Sequence, residues 1–362
     1  MPRILSARPG PVFAIASALL FGASTPCAKR LLGEGIDPFV LAGLLYLGSG
    51  VGLGVLQRIR RDDNSHVEAP LRGRDLPWLA AIIVCGGVIG PALLMLGLTT
   101  TPGSAASLLL NLESLATMAI AWIVFRENVD RRLLVGAVAI LAGGLTLSWH
   151  AGPAGVGIGA VAIIGACVAW GIDNNLTRKL SAADPVQIAL IKGLCAGVAT
   201  LGLGLAHGGA LPGPAQISAA AMVGFFGYGV SLVFFVLALR HLGAARTGAY
   251  FATAPFVGAI LAIGLLGEHV TGQLVLAGLL MAIGLYLHLT ESHEHGHRHA
   301  PLRHEHRHRH DLHHDHPHDP GILAGEPHSH WHEHEPIAHS HPHFPDLHHR
   351  HPHPHPHPHA HG

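Results

Sequence analysis

The sequence predicts an all-α membrane protein, with ten transmembrane helices as two inverted five-helix repeats and then a disordered His-rich tail. Three observations lead there. Apolar stretches of about 18 or more residues recur from Val12 to Thr290, each long enough for a hydrocarbon core of roughly 30 Å. Basic residues cluster in alternate connections between those stretches. The spacings of marked residues recur in the two halves.

Composition excludes the main alternatives. Charged residues are 12% of the chain, Gly is 46 of 362, and only 17 Lys or Arg precede Glu291. Formal net charge is zero, so no nucleic-acid partner is expected. Cys27, Cys85, Cys167 and Cys195 lie in apolar segments without metal-ligand spacing, and are read as small buried residues. No nucleotide-binding loop, nucleophile elbow or zinc-hydrolase motif is present, so an enzyme is not expected.

The spans fall at 11–32, 38–57, 77–98, 104–124, 132–149, 155–177, 185–206, 215–239, 247–266 and 270–290. The first follows Arg3 and Arg8 and imitates a cleaved signal, but it carries half of the repeat and is read as a span. Turn residues such as Gly152-Pro153 and Pro212-Gly213-Pro214 separate the later spans. With the N-terminus inside, 14 basic residues fall on the inner side, among them Arg58, Arg60, Arg61, Arg126, Arg131, Arg132 and Arg240. Only Lys29 and Arg30 fall outside. The positive-inside rule then puts both termini and the tail in the cytoplasm of a plasma (bacterial inner) membrane.

The halves are 11–149 and 154–290. Phe21-Gly22 leads to Lys29, and Trp170-Gly171 leads to Arg178, with the base seven residues after Gly in each. Asp37-Pro38 and Asp184-Pro185 follow. Ser114 precedes Glu127 by the spacing that separates Pro255 from Glu268, and Gly143 and Gly284 follow those Glu at equal distance. Five spans per half is an odd number, so the second half is inserted upside down, an arrangement of secondary carriers with a midplane site.

These duplicated motifs resemble the EamA-type branch of the drug/metabolite transporter superfamily. The resemblance covers about residues 11–290. It implies a ten-helix carrier that moves small organic metabolites, often by export. Asn175 stands where the first repeat has Pro26, and Ser114 where the second has Pro255.

A charge at membrane depth is a candidate functional group. Glu113, Asp173 and Lys192 all qualify. Glu113 has Thr117 one turn on, and a carboxyl in a low-dielectric setting suits proton coupling. The competing reading pairs Glu113 with Lys192 as a structural ion pair. Lys192 could also snorkel to the inner interface. Asn111, Asn174, Asn175, Trp170 and Tyr250 complete the candidate substrate and coupling set. Pro26 and Pro255 either break their spans and free carbonyls toward a cavity or are tolerated as kinks.

The tail, 291–362, holds 27 of the 33 His. Candidate metal ligands recur at every second position: His293, His295, His297, His299; His304, His306, His308, His310; and His351, His353, His355, His357, His359, His361. Neutral imidazole ligates Zn²⁺, Ni²⁺, Co²⁺ and Cu²⁺, so a divalent transition metal is expected at the tail, with no cofactor required by the body. The abundance of Pro and His predicts disorder.

Three functions fit. The first is a carrier for small organic metabolites, the second a divalent-metal or metal-chelate transporter with the tail as buffer or sensor. The third is a metal-binding membrane protein without transport. A desolvated divalent ion needs about four to six ligands, and the deep set is thin, which favours the metabolite. The partners expected are the lipid bilayer, a small-molecule substrate and metal ions, and a homodimer is compatible with the sequence.

Overall fold

The protein is described from a computed structural model. It covers residues 9–60, 71, 73–125, 131–149, 157–177, 180, 184–242, 244–289, 294–298, 302–308, 328–334 and 338–342. Among these the body is helical.

Helix α1, Pro9–Gly33, ends in a turn at Gly35, whose φ of 89° suits a residue without Cβ. Helix α2, Pro38–Arg60, starts at Asp37, whose Oδ1 accepts from the Phe39 and Val40 amides at 2.9 and 3.0 Å. Helix α9, Pro185–Ala206, starts in the same way, with Asp184 accepting from the Val186 amide at 2.8 Å. The two Asp-Pro pairs are therefore helix starts. The carboxylate satisfies an orphan amide, and Pro fills a position that needs no donor.

The third span joins α3, Leu76–Ile82, to α4, Gly90–Thr100, through a π-helical turn at Ile83–Ile89. The fourth is interrupted: α5, Gly103–Leu109, and α6, Leu112–Phe125, are separated by Leu110 and Asn111. Helices α7, Arg131–Ser148, and α8, Ile158–Thr177, follow. After α9 come α10, Pro214–Gly224, a second π-helical turn at Phe225–Val230, and α11, Ser231–Leu242. The ninth expected span is also broken, into α12, Ala244–Phe251, and α13, Ala254–Leu266, before α14, Gly272–Leu289.

Among the described residues eight helical stretches are long and apolar enough to cross a membrane, and two further apolar helices, Ala254–Leu266 and Gly272–His288, are shorter. The outer surface is apolar, with Ile59, Ile123, Ile158 and Tyr286 well exposed. That is the surface a multi-pass membrane protein presents to lipid.

Small residues set the helix spacing. Gly50 of α2 lies against the backbone of Gly193 and Leu194 in α9, and Gly197 of α9 lies against Leu47 and the Gly43 carbonyl. Helices α7 and α14 meet in the same manner: Gly143 against Ala277 and Met281, Gly284 against Gly136 and Ile140. A Cβ at any of these would push backbones apart, so close packing replaces the hydrophobic drive that lipid removes. Leu41, Leu45, Met95, Leu98, Leu109, Ile140, Ile163 and Met281 fill the buried core.

The two interrupted spans meet at one end only. Helix α5 packs on α13, whereas α6 packs on α8, and α12 packs on α1 and α11. Among the described residues α6 and α12 form no substantial contact. The bundle is joined at the Glu268 end and split toward the Arg131 end.

At Pro26 the second of the two readings, a proline tolerated within the helix, is the one found. Helix α1 runs through it without a break. Proline removes the amide that would bond the Gly22 carbonyl, and that carbonyl lies against Gly258 of α13 instead. Neighbouring helix packing holds the span together. The interruption near Pro255 lies at Ala252 and Thr253, with Pro255 in the first turn of α13. Of the cysteines, Cys167 is buried, Cys27 and Cys85 are half-buried and Cys195 is exposed on the apolar periphery, because lipid accepts a thiol as readily as a core does.

The described part of the tail contains strands where disorder is expected from composition. β1, Glu294–Arg298, pairs antiparallel with β4, Ala338–Pro342, and β2, Leu302–His308, with β3, His328–His334. The register sets His304, His306 and His308 opposite His332, His330 and His328. Alternation of His with other residues has the period of a strand, which composition alone ignores. His293, His299, His310 and His351–His361 lie outside the described residues.

Candidate functional site

The interruption in the fourth span creates the site. Asn111 is buried and donates through Nδ2 to the Leu108 carbonyl at 2.9 Å, with Met281 Sδ at 3.7 Å. Its side chain competes for a carbonyl that would serve the helix, so the helix stops and restarts. Asn111 therefore shapes the break, and Glu113 opens the first turn of α6 beyond it.

Glu113 is half-buried. Asn174 of α8 donates through Nδ2 to Glu113 Oε1 at 2.9 Å and to Thr117 Oγ1 at 3.2 Å. The Thr117 hydroxyl in turn donates to the Glu113 carbonyl at 2.9 Å. Three of the expected residues thus form one connected group across two helices. Gly171 allows it: its Cα lies against the Ala116–Thr117 backbone, bringing α8 and α6 close enough for short side chains to bond. Asn175 is buried and donates to the Thr117 carbonyl at 3.0 Å and the Gly171 carbonyl at 2.8 Å. Among the described residues its Oδ1 has no hydrogen-bond partner.

Asp173, on the preceding position of α8, faces another helix. Its Oδ2 lies 2.5 Å from Lys192 Nζ of α9, and Oδ1 accepts from the Thr177 hydroxyl at 3.3 Å. Lys192 neither pairs with Glu113 nor extends to the interface. It neutralises Asp173, because an isolated charge at this depth is costly and the pair is not. Gly86, in the first π-helical turn, abuts the Asp173 carboxylate and leaves no room for a Cβ. The Gly86 carbonyl accepts from Tyr46 at 2.9 Å and from Trp170 at 3.0 Å. Trp170 is buried and serves as a clamp on that turn.

Tyr250 is half-buried on α12, and its carbonyl accepts from the Thr253 hydroxyl at 2.6 Å. No hydrogen bond joins it to Glu113 among the described residues. Sequence reasoning gave no role to Gly86, and offered Tyr46 and Tyr228 only as aromatics that could line a cavity. Gly86 had no local signal, since its use depends on a π-helical turn. Tyr46 meets Tyr228 in a tilted ring contact at 5.4 Å, and Tyr228 meets Phe21 edge-on at 6.0 Å.

A second polar group closes the Glu268 end. Glu268 accepts from the Gly103 amide at 2.6 Å, the Ser104 amide at 2.9 Å and the Ser104 hydroxyl at 2.5 Å. Lys29 donates to the Leu98 carbonyl beside it. The adjoining cavity of about 530 Å³ is lined by Thr101, Ser104, Trp149, Glu268, His269 and Gln273 among others. The motif glutamate of the second half is thus a cap on the fourth span, supplied from across the bundle.

Comparison with known proteins gives a consistent result. The EamA-like transporter family profile matches twice, at residues 8–149 and 157–290. An uncharacterized transporter of Methanothermobacter thermautotrophicus is 27% identical, over 77% of this chain and 85% of that protein. One of Clostridium kluyveri is 21% identical, over 78% and 94%. A solved crystal structure at 18% identity superposes with a TM-score of 0.57, covering 78% of this chain and 96% of that one, and so shares its fold. The chain belongs to the EamA-like transporter family and is a multi-pass membrane transporter.

Proposed function

We propose that the protein is a secondary carrier for small organic metabolites, working by alternating access and exporting its substrate. The observation that carries this is the Glu113–Asn174–Thr117 group, set where the fourth and ninth spans part. A polar group on a split between helices is where a carrier places its site.

The reading rests on two inverted five-helix repeats, ten spans in all. Several features support it. The displacement along the chain that takes Glu127 to Glu268 also takes Gly143 to Gly284 and Gly86 to Gly227. The last pair lies in the two π-helical turns. The contact of Gly143 with Ala277 and Met281 becomes, under the same displacement, the contact of Gly284 with Gly136 and Ile140. Reciprocal contacts of that kind are what a two-fold axis produces.

The positive-inside rule puts the Arg131 end in the cytoplasm. The split then faces inward, and Glu268 seals the outer end. Glu113 is the coupling and substrate carboxylate. The tail is cytoplasmic and binds divalent transition ions as an accessory function. A metal cargo is disfavoured because no three His, Cys, Asp or Glu converge among the described residues, whereas a desolvated divalent ion takes about four to six ligands.

Inside-out vesicles incubated in a metabolite extract test the reading, with mass spectrometry of their contents. Wild type should accumulate an organic compound that Glu113→Gln, equally abundant in the membrane, does not. Accumulation of Ni²⁺, Co²⁺ or Zn²⁺ alone, persisting after truncation at Thr290, would replace it with the metal carrier.

A further inference from the structure

We infer that the Glu113 site takes a single organic ammonium group, so that the substrate is a monovalent cation with an apolar or aromatic body. The inference deepens the carrier reading and rests on it for transport, though not for binding.

Charge comes first. Glu113 and Asp173 supply two carboxylates to the centre of the bundle, and Lys192 supplies one ammonium. Lys192 is committed to Asp173 Oδ2 at 2.5 Å, and Gly86 packs against the same oxygen. Among the described residues no base is left for Glu113. Among the described residues the group is one positive charge short, and a half-buried carboxylate at membrane depth is stabilised by a cationic partner. An anionic substrate would meet Glu113 without a free base to bind it. A divalent ion would overshoot the deficit and find too few ligands.

Hydrogen-bond valence agrees. The unpartnered atoms around Thr117 are acceptors. No hydrogen bond reaches Glu113 Oε2 among the described residues, and the buried Asn175 Oδ1 has none. The Asn174 amide is already used by Glu113 Oε1 and Thr117 Oγ1. What is missing is a donor without lone pairs of its own, and an ammonium supplies three N–H groups and no acceptor.

A chain of aromatic rings near the charged group fits the rest of the molecule. Tyr46, Tyr228, Phe21 and Phe251 form a chain of ring contacts at 5.4, 6.0 and 5.2 Å. Tyr46 is tied to Gly86, and Gly86 abuts Asp173, so this chain of rings begins beside the Asp173–Lys192 pair. Aromatic faces attract cations and apolar bodies alike.

The test uses the full-length protein in nanodiscs and three matched probes: benzylammonium, benzoate and benzyl alcohol. Benzylammonium should raise the thermal midpoint and bind by calorimetry, and the other two should not. Glu113→Gln should lose about tenfold or more of that affinity, as expected for a charge-assisted contact, and Glu113→Asp should keep part of it. The unliganded midpoint of each variant shows that it is folded. Stabilisation by benzoate or benzyl alcohol, unchanged affinity in Glu113→Gln, or no response to benzylammonium would each overturn the assignment. Uptake into proteoliposomes separates the two claims. Ammonium binding without uptake would sink the carrier reading alone, and Glu113-dependent uptake of benzoate would sink this inference alone.

Discussion

Lys192 Nζ lies 2.5 Å from Asp173 Oδ2, joining the seventh span to the sixth, with side-chain exposures of 15% and 7%. The pair decides which carboxylate is free: Asp173 is spoken for, and Glu113 is not. Removing one partner should therefore cost far more than removing both. Lys192→Met should destabilise by about 3–5 kcal/mol, because it leaves a buried carboxylate uncompensated. Adding Asp173→Asn to it should recover most of the loss. Thermal unfolding in detergent reads the difference, and equal losses in single and double variants would show that the pair is not formed.

The Gly86 carbonyl holds two donors, Tyr46 and Trp170. Either Tyr46→Phe or Trp170→Phe should cost about 1 kcal/mol, since the other donor still satisfies the oxygen. The double variant should lose clearly more than the sum, because it orphans a buried carbonyl. Strict additivity in that cycle would argue that the two bonds act separately.

Glu268 caps the fourth span from the far half of the chain. Glu268→Ala should cost about 2 kcal/mol, by analogy with the loss of a helix cap. It should also expose a cysteine placed at Ala105 to membrane-impermeant reagents added outside. Unchanged labelling would mean that the cap does not close that end.

Gly50 lies against the α9 backbone, whereas Gly202 faces open space among the described residues. Gly50→Leu should reduce the folded yield and cost about 1–3 kcal/mol by overpacking. Gly202→Leu should stay within about 0.5 kcal/mol of wild type. Size-exclusion profiles and unfolding midpoints compare the two.

The tail should be separable from the body. A chain ending at Thr290 should insert and unfold as the full-length protein does. Ni²⁺ binding by calorimetry should be lost with the truncation and should fall in the full-length protein as pH drops through about 6.5, where imidazole protonates. Loss of insertion on truncation would make the tail structural.

Much of this was legible along the chain. Apolar runs gave the segments, because a bilayer demands about twenty residues whatever the fold. Asp37 and Asp184 marked helix starts because capping is local. Glu113, Asp173 and Lys192 stood out because membrane depth makes any charge conspicuous. Their pairing was not legible: Lys192 is equally available to either carboxylate until α8 and α9 are in place. The break in the fourth span was also hidden, since Asn111 competes for its own helix only in a particular rotamer.

Sequence by itself determined the membrane-spanning class, the family and the set of polar residues at depth. Those properties depend on transfer free energies and short-range backbone chemistry, which each segment carries alone. Only the tertiary structure decided that Lys192 serves Asp173, that Gly86 admits their pair, and that Glu268 reaches the start of the fourth span. Each joins residues from different helices, and which of two equally charged partners comes within 3 Å is set by helix packing, here fixed by glycines.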